Sequence, residues 1–215
     1  QKSRLLYGFD KSKNAIRDLR FAVLVEGQMD LLMAWQDGVK NIIATSGTAL
    51  TAEHLILLSR LTTNLILAFD SDEAGIKASR QVIDLALGLG FEVKLASLPP
   101  GQDPADLIGR EPAVWLKAVA GATAVIDFVL LMLKRRGLEP RALAHTIAAE
   151  VYPLVARLSR RIDQAHYLAK IATLTGLPEE VIRAGIAETR VPGSLLMPNT
   201  SNLKPNSRSD LLTRR

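Results

Sequence analysis

The sequence predicts an α/β fold, an open and mostly parallel four-stranded sheet flanked by helices and followed by a small α-helical subdomain. Three observations predict it. Four short runs are rich in Val, Ile, Leu and Phe and nearly continuous, as suits strands buried on both faces of a parallel sheet. Helical patterns alternate with those runs. Beyond Pro99-Pro100-Gly101 the strand-like runs stop and only helical patterns continue.

The expected strands are Phe21–Glu26, Asn41–Thr45, Asn64–Asp70 and Phe91–Ala96, with helices Met29–Asp37, Thr51–Leu61 and Glu73–Leu89 between them. Gly38 and the Gly88–Gly90 pair stand where those helices should end. Thr51 with Glu53 and His54 looks like a capped helix start without the full capping box. The later segments Ala113–Val119, Thr123–Arg136, Arg141–Leu158, Arg160–Leu174 and Glu179–Ala187 read as helices. Gly137, Pro140, Gly176 and Pro178 punctuate them. Four regions follow: a basic helical lead-in over 1–20, a sheet domain over 21–110, a helical subdomain over 111–188 and a flexible linker over 189–215.

Composition narrows the chemistry. The 215 residues contain no cysteine and three histidines, which excludes disulfides, a cysteine nucleophile and a Cys-based zinc site in this chain. The longest apolar run, Val125–Leu133, is interrupted by Asp127 and is far short of the ~20 residues that span a bilayer, so a soluble, cytoplasmic chain with no membrane partner is expected. The net charge is +5, with six Lys/Arg in residues 1–20 and five from Thr189 onward. Basic ends suit a polyanionic partner, although solvated lysines and arginines read equally well from charge alone. The chain begins at Gln1, as expected of a piece of a longer or processed protein.

The informative residues are acids placed at strand ends. Glu26-Gly27 closes the first apolar run, and Asp70-Ser71-Asp72 closes the third. In open parallel sheets functional groups gather beyond the carboxyl ends of the strands. Asp70 and Asp72, two residues apart, would project to one side of an extended segment. Gly27 and Gly75 would let the backbone turn sharply beside the acids. Converging carboxylates without a basic partner repel one another unless a hard dication neutralises them. Oxygen-only ligands favour Mg²⁺ or Mn²⁺, and such a centre suits phosphoryl or nucleotidyl transfer. Alone, Asp70-x-Asp72 is as readily a loop or a helix cap.

The combination is more specific. Val25-Glu26-Gly27-Gln28-Met29-Asp30 and Phe69-Asp70-Ser71-Asp72-Glu73-Ala74-Gly75 resemble the two signature motifs of Toprim domains. Leu6-Tyr7-Gly8, Ala44-Thr45-Ser46-Gly47-Thr48 and Leu98-Pro99-Pro100-Gly101-Gln102-Asp103-Pro104 resemble segments of bacterial DnaG-type DNA primases. Together with the helices of 122–187, the resemblance covers about residues 2–188.

The resemblance implies a Toprim-like sheet and a catalytic-core fragment of a DNA-directed RNA polymerase that makes short RNA primers. It assigns Glu26, Asp70 and Asp72 to catalysis and metal binding, and Asp103 and Asp30 to further metal-proximal positions. Lys2 would lie near nucleotide or template phosphates. Where the family commonly reads Asp-Pro-Asp, this chain reads Asp103-Pro104-Ala105-Asp106, which leaves the role of Asp106 open. Asp30 also suits the first turn of its helix, and Asp103 also suits a turn or cap. Implied partners are a single-stranded DNA template, ribonucleoside triphosphates, the RNA primer and a replicative helicase reached through a C-terminal domain. Zinc is implied only for an N-terminal module of the full protein, and localisation would be cytoplasmic and nucleoid-associated. The isolated fragment is expected to be weak or inactive. A Toprim-type nuclease and a non-catalytic Toprim scaffold are the rival readings.

Overall fold

The computed structural model describes residues 6–45, 50–69, 73–99 and 101–189, with side chains in the helix beginning at Glu73 described from residue 79 onward. The element order is α1 (Phe9–Leu19), β1 (Ala22–Val25), α2 (Gln28–Gln36), β2 (Ile42–Ala44), α3 (Ala52–Ser59), β3 (Asn64–Leu67), α4 (Glu73–Gly88) and β4 (Glu92–Leu95). There follow α5 (Pro104–Arg110), α6 (Pro112–Ala120), β5 (Thr123–Ala124), α7 (Val125–Arg135), α8 (Pro140–Glu150), α9 (Tyr152–Arg157), α10 (Arg161–Thr175) and α11 (Glu179–Glu188).

The sheet runs β2-β1-β3-β4-β5, with β1 to β4 parallel and β5 antiparallel to β4. The expected alternation of strand and helix is present, but the sheet has five strands rather than four. Thr123, expected to begin a helix, instead pairs with Leu95 before α7 starts. A two-residue strand is too short to carry periodicity and is defined only by its partner.

The side chains of the strands alternate between two cores, as a pleated sheet requires. Val23 and Val25, Ile42 and Ala44, and Ile66 and Ala68 pack with Leu31 and Ala34 of α2, Leu107 and Ile108 of α5, and Trp115 of α6. Ala22 and Leu24, Ile43, Leu65 and Leu67, and Val93 and Leu95 face the other way. There they meet Ile16 of α1, Leu55 and Leu58 of α3, Ile83 and Leu87 of α4, and the interior of α7 to α11. Both sheet faces are therefore dry, which accounts for the continuous apolar runs. Each large aliphatic side chain buried there contributes about 1.5–3 kcal/mol.

Local chemistry sets the element ends. Gly8 precedes α1 at φ 80°, and a Cβ built there would meet Leu31 Cδ1 at 2.5 Å, so both conformation and packing demand glycine. The single helix expected over Arg141–Leu158 is two, α8 and α9. Pro153 lies at the start of α9, where its missing N–H costs nothing, but inside a continuous helix it would break the ladder. Thr51 caps α3 through a full box: its Oγ1 accepts from the His54 amide at 3.3 Å, and its own amide donates to His54 Nδ1 at 3.3 Å. Histidine here takes the place that Glu or Gln takes in most such boxes. Gly75, expected at a turn, lies within α4.

Ion pairs join the sheet's flanking helix to the helices that follow. Arg80 of α4 reaches Asp84 at 3.2 Å and the Glu150 carbonyl at 3.1 Å, and Arg157 at the end of α9 reaches Asp84 at 3.3 Å. In α10, Lys170 lies 2.6 Å from Asp127 of α7, whose other oxygen accepts from the Tyr167 hydroxyl at 3.5 Å. Among the described residues, no helix is long and apolar enough to cross a membrane.

Candidate active site at the carboxyl edge of the sheet

The strand order places a topological switch between β1 and β3. The chain leaves β1 for β2 on one side and leaves β3 for β4 on the other. Crevices of this kind, beyond the carboxyl ends of the strands, are where open α/β sheets bind ligands. In register, Leu24 pairs with Leu67, and the Ala68 amide donates to the Leu24 carbonyl at 2.9 Å. Among the described residues, the edge is therefore carried by Glu26 after β1 and by Ala68 and Phe69 after β3.

Glu26 lies directly after β1 and is exposed. Its carbonyl accepts from Thr45 Oγ1 at 3.4 Å, which ties the bend to the end of β2. Among the described residues it has no cationic partner. Asp70, Asp72, Lys2 and the segment 46–49 lie outside the described residues.

Asp30 is the buried acid of the edge, 6% exposed. It occupies the third position of α2, and its Oδ2 accepts from the Gly27 amide at 2.9 Å. Its Oδ1 accepts from the Ala105 amide at 3.2 Å, across 75 residues of sequence. Burial pushes its carboxyl above the usual carboxylate range, opposed by the Gly27 amide and reinforced by the nearby Asp103 charge. Asp103 caps α5 from the exposed side. Its Oδ1 accepts from the amides of Ala105 at 2.8 Å and Asp106 at 3.3 Å, and Oδ2 takes part in neither bond. Asp106 stands in the exposed first turn of α5.

Gly27 was expected to supply a sharp turn, but its backbone is extended at φ −96°, a conformation open to any residue. A Cβ there would instead meet Asp30 Oδ2 at 2.9 Å, so glycine is required by close approach. The structure thus brings Asp30 and Asp103 together on one amide and sets Glu26 one residue from the other. Among the described residues, no three of His, Cys, Asp and Glu group closely enough to hold a metal ion.

Trp115 is fully buried, Trp35 carries Lys40 Nζ 4.7 Å above its ring, and Arg157 is engaged with Asp84. Sequence reading missed the Ala105 amide, because a backbone donor leaves no trace in residue identity.

A Toprim-like family model matches residues 23–108, the segment that holds the whole edge. The DNA primase of Halalkalibacterium halodurans is 34% identical over 175 residues, which is 80% of this chain and 29% of that protein. A DNA primase domain from Pseudomonas aeruginosa superimposes with a TM-score of 0.72 at 27% identity, covering 87% of this chain and 60% of that one. The RNA polymerase domain of Mycobacterium tuberculosis primase DnaG, solved with a double-stranded DNA oligomer with a 6-nucleotide overhang, superimposes with a TM-score of 0.65 at 28% identity, over 82% of this chain and 58% of that one. The chain thus spans less than a third of the length of the Halalkalibacterium protein. Sheet order, carboxyl-edge acids and these likenesses agree: the chain belongs to the bacterial DnaG-type DNA primase family.

Proposed function

We propose that this chain is part of the catalytic core of a DNA-directed RNA polymerase, a primase that builds short RNA primers on single-stranded DNA. The observation that carries the reading is the pairing of β1 with β3 at the switch point. It puts Glu26 beyond the end of β1, next to the end of β3, and Asp70 stands three residues after Leu67 in sequence, which supports a shared site.

The available donors fit a hard dication. Glu26 is exposed and free of basic partners among the described residues, Asp103 Oδ2 lies outside the capping bonds, and the chain has no cysteine. Glu26, Asp70 and Asp72, with Asp103 alongside, would hold Mg²⁺ or Mn²⁺ rather than zinc. When bound, such an ion supplies charge neutralisation at the triphosphate and lowers the pKa of the attacking 3′-hydroxyl.

The chain's own residues contribute placement. The sheet holds the carboxylates on rigid strand ends, and no protein nucleophile is needed, because the 3′-hydroxyl attacks the α-phosphate and pyrophosphate departs. Lys2 would contact template or nucleotide phosphates. Base choice belongs to the template strand. The DNA held by the Mycobacterium tuberculosis relative supports a DNA template, and ribonucleoside triphosphates, the primer and a replicative helicase complete the partners of the full polypeptide.

The test is the full polypeptide incubated with single-stranded DNA, ribonucleotides and Mg²⁺. Oligoribonucleotides should form, and Asp70→Ala should abolish them while leaving the melting curve intact. Cleavage of the DNA without oligoribonucleotides would instead identify a nuclease, and neither activity would leave a scaffold.

A further inference from the structure

We propose that Asp30 is a positioning residue, a buried clamp that fixes the Asp103 segment against the Glu26 loop through two backbone amides, and that it is not itself a metal ligand. The inference rests on the nucleotidyl-transfer reading above and deepens it.

Its two oxygens are aimed at two different loops. Oδ2 takes the amide of Gly27, the residue after Glu26, and Oδ1 takes the amide of Ala105, two residues after Asp103. One side chain thereby spans the two segments that carry the accessible acids. The Ala105 amide is shared with Asp103 Oδ1 at 2.8 Å, so the same donor orients the Asp103 carboxylate. Gly27 bears independent witness. It is not needed for backbone conformation, yet a Cβ would fall 2.9 Å from Asp30 Oδ2. A carboxylate pinned by a second amide and 6% exposed cannot swing aside cheaply.

Accessibility separates clamp from ligand. Mg²⁺ keeps several of its waters and binds through carboxylates that reach it in near-octahedral geometry. Glu26 and Asp103 are exposed, whereas Asp30 is buried with each oxygen already spent on an amide. Two like charges meeting at one N–H is costly, and the arrangement persists because α2 packs directly on α5, with Met33 against Gly109.

The experiment compares Asp30→Ala, Asp30→Asn and Gly27→Ala in the full polypeptide. It reads primer synthesis against Mn²⁺ concentration and hydrogen exchange at the Gly27 and Ala105 amides. Gly27→Ala is decisive because it removes no carboxylate and only displaces one. Asp30→Ala and Gly27→Ala should each lower kcat by about 10–100-fold, the scale of a small misplacement. The Mn²⁺ concentration for half-maximal rate should move by less than about threefold, because the proposed ligands, the accessible acids, are untouched. Protection of the Gly27 amide should fall in both. Asp30→Asn, which keeps one acceptor oxygen, should lie between wild type and Asp30→Ala. Full activity in Gly27→Ala, or a kcat of Asp30→Ala that recovers at saturating Mn²⁺, would overturn the proposal. If wild type itself makes no oligoribonucleotide, the polymerase reading fails, and amide exchange still decides whether Asp30 clamps the two loops.

Discussion

The Ala68 amide donates to the Leu24 carbonyl at 2.9 Å, locking the carboxyl ends of β1 and β3 side by side. Because the strands are parallel neighbours, Glu26 after β1 and Phe69 after β3 leave the sheet at the same rim. The predictions below begin from that rim and move outward.

If Glu26 and Asp70 hold a common ion, Mn²⁺ should stabilise the protein against heat. At ten times its Kd a ligand that binds only the folded state adds about 1.4 kcal/mol. Thermal melts with and without Mn²⁺ should show this rise in wild type, and Glu26→Ala should remove most of it. A rise unchanged in Glu26→Ala would place the ion elsewhere.

Gly8→Ala should be strongly destabilising. The residue sits at φ 80° and its Cβ would lie 2.5 Å from Leu31 Cδ1. Left-handed strain and overpacking together cost about 2–4 kcal/mol. Urea denaturation measures this directly, and a loss below about 1 kcal/mol would mean that Leu31 repacks freely.

His54 should give the protein an acid-sensitive cap. Burial lowers its pKa from 6.5, against a smaller opposing effect of Glu53. Between the folded and unfolded pKa values the unfolded chain binds more protons, so stability rises with pH there and falls as pH drops below about 6.5. His54→Gln keeps an acceptor for the Thr51 amide but cannot titrate. Wild type should therefore lose stability relative to His54→Gln as pH falls from neutral through 6.5 toward its lowered folded-state pKa. Parallel stability curves for the two proteins would contradict this.

Asp84→Ala should loosen the seam between α4 and α9. It leaves Arg80 and Arg157 without their shared carboxylate in a half-buried setting. A loss of about 1 kcal/mol is expected, smaller at high salt. The Arg80 bond to the Glu150 carbonyl should survive, so cooperativity of unfolding should not change.

Much of the fold was legible because burial on both sheet faces writes continuous apolar runs. Val23 and Leu24 belong to different cores, yet both must be apolar. What stayed hidden was set by pairing and by backbone donors. Thr123 becomes a strand only beside Leu95, and Pro153 splits a helix whose apolar spacing is unbroken. At the edge, Glu26 and Asp103 were legible as accessible acids. The clamp by Asp30 was only half legible: its place in the first turn of α2 follows from spacing, but its bond to Ala105 joins segments 75 residues apart through an amide common to almost every residue. The close approach that demands Gly27 likewise depends on the Asp30 side chain and not on local backbone shape.

The most direct measurement is a crystal structure of the Mn²⁺-loaded protein with the ion located by its anomalous scattering. A peak contacted by carboxylate oxygens of both Glu26 and the Asp70/Asp72 pair, at bond lengths of about 2.0–2.3 Å, is the expected result. An ion bound without Glu26, or a Glu26 carboxylate more than about 9 Å from the aspartates with ions present, would contradict it, since two bridged ions lie only about 4 Å apart.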